Sequence, residues 1–132
     1  MKFGNDKGVN VPAGCKFDTY ANGGTTTLVL DQQGRLVRDF ASLGGTNNNC
    51  AGGRTPWGSL LTCEENYGDG GGGNNIVGLN SDGQLFRVAE NAINGSEFCG
   101  GCFSHDGRFM FANIQSPGLT LVIEGPWRKG QR

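Results

Sequence analysis

Three segments of the chain repeat one pattern, an apolar run, a turn and a second apolar run: residues 27–40 (TLVLDQQGRLVRDF), 76–89 (IVGLNSDGQLFRVA) and 101–113 (GCFSHDGRFMFAN). In the second and third, Asp82-Gly83 and Asp106-Gly107 separate the runs. Asp-Gly is among the strongest short hairpin signals, because glycine accepts the positive φ that primed turns require. In the first segment Asp31 and Gly34 bracket a slightly longer turn. Apolar residues alternate around each turn: Leu28 and Leu30, Leu36 and Phe40, Leu85 and Val88, Phe109 and Phe111. A period near two predicts half-buried antiparallel strands. Two further strands are predicted at 59–63 (SLLTC) and 119–123 (LTLVI), and no window carries a capped helical stripe. Hairpins that share one turn chemistry predict an all-β fold, with antiparallel hairpins forming two to three blades of an incomplete β-propeller. A closed propeller needs at least four blades of about 40–45 residues each, more than 132 residues provide.

Composition narrows the function classes. Glycine contributes 25 of the 132 residues and concentrates in segments expected to be loops, 44–53, 66–75 and 92–95. The run GDGGGGNN at 68–75 reads as a flexible linker. A net charge of −1 supplies no electrostatic footprint for nucleic acid. No stretch approaches the ~20 apolar residues that span a bilayer, so no membrane contact is expected. Residues 1–14 lack the apolar core of a secretory signal, so no export address is expected in this chain. Five cysteines cannot all pair within one chain, which argues against a disulfide framework.

The densest polar constellation is NNNCAGGRTPWGSLLTCEEN at 47–66, where Cys63 is followed directly by Glu64 and Glu65. Thiolate selects softer or transition metals and carboxylate selects hard cations such as calcium, so together they suit a mixed-metal site. On a regular strand Glu64 and Glu65 would face opposite ways, and both serve one site only where the strand ends or bulges. The plainer alternative is a strand end with two solvated acids and a buried cysteine that behaves as a small hydrophobe. Cys99 and Cys102 form a C-x-x-C with no second pair to complete a zinc site. Because positions three apart on a strand face opposite sides, packing is the favoured role for these two. His105, the single histidine, lies in a turn, and its adjacency to Asp106 makes no nucleophile triad.

The order of these motifs resembles the PhoX-type alkaline phosphatase family. Residues 50–53 (CAGG), 55–58 (TPWG) and 61–65 (LTCEE) are similar to its first signature. Residues 96–98 (SEF), 103–107 (FSHDG), 111–118 (FANIQSPG) and 123–127 (IEGPW) resemble its C-terminal one. The resemblance implies a metal-dependent phosphomonoesterase built on a β-propeller, periplasmic or secreted, with calcium and iron as cofactors. It places Cys63 as iron ligand and Glu64, Glu65 and Glu97 as carboxylate ligands, the four forming the catalytic and metal set. It implies a phosphate monoester as substrate and division of the chain into an N-terminal extension (1–22), a propeller segment (23–127) and a basic tail (128–132).

Departures from the family pattern matter equally. Only about thirty residues separate the two signatures, where the family has several blades, so the chain reads as truncated or internally shortened. An arginine expected just ahead of Glu97 is replaced by Asn94-Gly95-Ser96. Arg54 is the candidate to supply that charge as a substrate-binding residue, with Asn113 as a second polar contact; the plain alternatives are an exposed loop arginine and a turn-forming asparagine. The alternative function is a non-catalytic metal-binding or structural β fragment. In either case unclosed strand edges invite self-association.

Overall fold

The computed structural model describes residues 11, 14–65, 74–80 and 82–127. Most of the proposed glycine-asparagine linker, and the basic tail, therefore lie outside the described residues. Among the described residues nine strands follow in order: β1 (Gly23–Leu30), β2 (Leu36–Thr46), β3 (Asn49–Arg54), β4 (Leu60–Glu64), β5 (Asn75–Leu79), β6 (Leu85–Glu90), β7 (Phe98–Phe103), β8 (Phe109–Ile114) and β9 (Leu119–Glu124). They form three antiparallel sheets, β1-β2, β3-β4-β5-β6 and β7-β8-β9. No helix occurs among the described residues. The fold is all-β, as the hairpin repeats predict.

The three repeated hairpins are present, but their turns differ from the two-residue type that Asp-Gly implies. Gly34, Gly83 and Gly107 do take positive φ (77°, 78° and 71°). Each closes a longer loop held by a polar side chain at its start. Asp31 Oδ1 accepts the backbone N–H groups of Gln33 and Arg35 at 2.9 Å. Asn80 Oδ1 does the same for Asp82 and Gln84 at 3.0 and 2.8 Å. In the third loop Ser104 Oγ accepts the N–H of Phe109 at 3.0 Å and Asp106 accepts that of Arg108 at 3.0 Å. Short side-chain acceptors that mimic a backbone turn explain why Asn, Asp and Ser sit at these places.

Strand β3 corrects the reading of 44–53 as a loop. Its sequence, NCAGGR, has no apolar period, yet it pairs with β4 from Asn49↔Glu64 to Arg54↔Leu60. Glycine makes this possible by close approach rather than by flexibility: a Cβ at Gly53 would collide with the carbonyl oxygen of Gly101 in β7. The two sheets therefore meet backbone to backbone at β3 and β7.

The core lies where β4 and β5 face β7 and β8. Leu61, Cys63, Ile76, Phe98, Met110, Ala112 and Ile114 are buried together there. Fully burying a side chain of this size stabilises the fold by roughly 1.5–3 kcal/mol, so this cluster anchors the β3–β6 sheet on the β7–β9 sheet. On β8 the buried set is Met110, Ala112 and Ile114, while the expected Phe109 and Phe111 stay half-buried. The first hairpin departs further: Leu28, Leu30, Leu36 and Phe40 are exposed, and Val37 is 66% exposed on the same ribbon. Among the described residues no third strand or opposing sheet covers the far end of this two-stranded ribbon, so apolar alternation there buries little. Nearer its base, residues Cys15 to Asp18 lie along β2 through Phe17 N–H to Gly44 O and Asp18 N–H to Gly45 O, both 2.9 Å.

Candidate functional site

The site is built at the end of β4 and the start of β7. Strand β4 stops at Glu64, the condition under which two adjacent acids escape strict alternation. Glu64 is only 3% exposed. One of its oxygens accepts the backbone N–H of Asn47 at 2.9 Å, and the other accepts Asn75 Nδ2–H at 2.6 Å. A buried carboxylate needs such donors to offset the loss of its water. Glu64 thus ties the β2–β3 turn to β5, and it is not the solvated acid of the plainer reading. Glu65, half-buried, accepts from Asn48 Nδ2 at 3.3 Å, and its own N–H donates to Asn48 O at 3.1 Å. Glu97 is buried immediately before β7, with its carbonyl accepting the N–H of Gln115 at 3.1 Å.

Cys63 lies in the core, 0% exposed, against Ile76, Phe98 and Met110. Burial first, then the nearby Cys50 sulfur, pushes its thiol up to about 11, an effect that a hydrogen bond from Gly100 N–H opposes. A neutral thiol is what an apolar cluster favours.

The residue that the sequence reading passed over is Cys50. It sits in a β-bulge between Asn49 and Ala51, and its thiol donates to Phe98 O at 3.2 Å and more weakly to Cys63 O at 3.7 Å. One sulfur therefore touches both the end of β4 and the start of β7. Burial, followed by the carboxylates of Glu65 and Glu97, pushes the Cys50 thiol above its ordinary value. Cys50, Cys63, Glu65 and Glu97 thus share one neighbourhood, although sequence gives no hint that position 50 joins it.

The two substrate-binding candidates part company. Asn113 lies opposite the irregular stretch of β7 between Phe98 and Gly101, and its Oδ1 accepts from Thr120 Oγ1 at 2.9 Å. It belongs to the same end as Glu97. Arg54 is at the opposite end of the β3–β4 ladder, paired with Leu60 where Asn49 is paired with Glu64. Four strand steps separate it from Cys50, about 13 Å. A groove of about 550 Å³ runs along β3 between the two ends, lined by Arg54 at one and by Asn49 and Cys50 at the other, with Thr25, Ser42 and Thr62 along it. Cys99 and Cys102 are both exposed, which corrects their assignment to packing. His105 is exposed in its turn.

The family model for alkaline phosphatase PhoX matches residues 23–92, just over half of the chain. This chain belongs to the PhoX alkaline phosphatase family. No curated protein and no solved structure matches it. The PhoX match spans β1 to β6 and so includes Arg54, Cys63, Glu64 and Glu65, while Glu97 and Asn113 lie beyond it. PhoX phosphatases are generally metal-dependent. The donor types here suit that chemistry, since thiol and carboxylate meet at one end of two sheets. They are not gathered into a coordination sphere: among the described residues no three His, Cys, Asp or Glu side chains are placed to hold one ion.

Proposed function

We propose that this PhoX-family chain is a truncated or internally shortened phosphomonoesterase, two to three blades of a β-propeller spanning 23–127, that acts outside the cytoplasm. In this reading Cys63, Glu64, Glu65 and Glu97 hold calcium and iron, and a phosphate monoester is bound beside them. The observation that carries it is the single Cys50 sulfur touching both Cys63 O and Phe98 O, which brings the Cys63-Glu64-Glu65 run to the Glu97-Phe98 step. The chain's own charges argue for a cation there, because three carboxylates repel a phosphoryl dianion. When bound, calcium and iron would supply neutralisation of the phosphoryl oxygens. Asn47 and Asn75 fix the orientation of Glu64, Asn113 offers an amide at the same end, and Arg54 reaches only a remote part of the ester. The test is hydrolysis of a generic aryl phosphate with elemental analysis of the purified chain. Glu97→Ala and Cys63→Ser should each abolish turnover and lower retained metal, and undiminished turnover in either variant refutes the ligand assignment.

A second reading, a non-catalytic β fragment, is favoured by one observation, the ungathered donors. It predicts neither stoichiometric calcium nor iron in the purified chain, and no hydrolysis after both are added back.

A further inference from the structure

The start of β7 is unusual in having sulfur on both of its flanks. Cys50 Sγ from β3 lies 3.2 Å from Phe98 O, and the Gly100 backbone lies near enough to the Cys63 sulfur of β4 to favour its thiolate. The residue between those two contacts is Cys99, which is exposed. Its position follows from a break in the β7–β8 ladder: Phe98 pairs with Ile114 and Gly101 with Ala112, leaving Cys99 and Gly100 out of register. Gly100 adopts φ 154°, which a side-chain-bearing residue rarely does. Cys102, three residues on, is back in the ladder opposite Phe111.

A trans peptide holds a carbonyl oxygen about 2.8 Å from the next Cα. With Cys50 Sγ 3.2 Å from Phe98 O, that sulfur is no more than about 6 Å from the Cys99 Cα. A Cys99 Sγ turned towards Cys50 covers about 2.8 Å of that span, which leaves about 3 Å at most, and rotation of the exposed Cys50 side chain reduces this to the ~2.05 Å of an S–S bond. We propose that Cys50 and Cys99 are a redox pair whose disulfide clips β3 to β7, and that the C-x-x-C neighbour Cys102 is not the partner.

The step balances with a low-molecular-weight disulfide as oxidant. The thiolate of Cys99, the sulfur outside the ladder, attacks one sulfur of the reagent and releases one small thiol, leaving a mixed disulfide on Cys99. The Cys50 thiol then gives up its proton to solvent, attacks the Cys99 sulfur and expels the second small thiol. Two electrons pass from the protein pair to the reagent, and two protons end on the released thiols. The product joins two sheets that share no backbone ladder among the described residues. It also closes a loop of nearly fifty residues, which restricts the unfolded chain strongly.

The test oxidises the full chain with oxidised glutathione and counts free thiols after denaturation. The count should fall from five to three. Tryptic mapping should then link peptide 39–54, which carries Cys50, to peptide 88–108, with Cys102 still open to alkylation. The melting temperature should rise by about 10 °C and return on adding dithiothreitol. Cys102→Ser should preserve the link, and Cys99→Ser should abolish it. Five free thiols after oxidation, a Cys50–Cys63 link or a Cys99–Cys102 link would each overturn the proposal. None of these readouts depends on phosphatase activity.

Discussion

Replacing Glu64 with alanine removes the acceptor of two N–H donors inside a nearly closed site. The Asn47 backbone N–H at 2.9 Å and Asn75 Nδ2–H at 2.6 Å both end on this carboxylate. Hydrogen bonds to a charged group contribute roughly 1.5–3 kcal/mol each, and a buried donor left without its acceptor costs about 1–3 kcal/mol. Water entering from the open end of the sheet offsets part of that loss, so we expect about 3–5 kcal/mol of destabilisation. Urea unfolding at pH 7, followed by circular dichroism, reads it directly. With a slope of about 2 kcal/mol per molar for a chain of this size, the midpoint should fall by about 2 M. Glu64→Gln keeps the volume and one acceptor but turns an NH2 group towards the other donor, and should cost about half as much. Glu65→Gln, losing one 3.3 Å contact at a half-buried position, should stay within about 0.5 kcal/mol of the parent. A Glu64→Ala chain as stable as the parent would refute the view that this acid is first a structural tie between the β2–β3 turn and β5.

Two further outcomes are expected. The Cys63 thiol titrates near 9.0 ordinarily and near 11 in the fold, so folding favours its protonated form. Its contribution is intact below pH 9 and is lost as pH rises towards 11, by up to about 3 kcal/mol. In the metal-free chain, denaturant unfolding across that range should show a steeper loss for the parent than for Cys63→Ala, and equal slopes would contradict the burial argument. Gly53→Ala should cost about 1–3 kcal/mol because its Cβ meets the Gly101 carbonyl. Gly95→Ala, with open space around it, should be nearly neutral in the same thermal melt, and equal melting temperatures for the two variants would sink the close-approach account.

What sequence alone made legible divides along physical lines. Local chemistry was readable: Asp31, Asp106 and the glycines that follow them mark hairpins because turn geometry depends on a few adjacent residues. Strand β3 was not, because NCAGGR is suited to its place by what it lacks, side chains that would hold β7 away. The first hairpin misled for the opposite reason. Leu28, Leu30 and Leu36 alternate as a buried strand should, but alternation reports a preference for cover and not the presence of it. At the site, Cys63, Glu64 and Glu65 stood out by adjacency and Glu97 by family resemblance. Arg54's separation from them is a matter of ladder register, and Cys50's approach to Phe98 depends on how two sheets dock. Neither leaves a mark in a one-dimensional pattern.

The β1–β2 ribbon has a consequence for handling this molecule. A strip that is greasy on both sides gains little from one neighbour, since covering either side leaves the other wet; only a slot open to receive it from two directions gives full shelter. Leu28 at 61% exposure and Val37 at 66% should therefore make the chain sensitive to salting-out long before heat or urea loosens its centre, so that cloudiness, and not melting, sets the practical limit on its concentration.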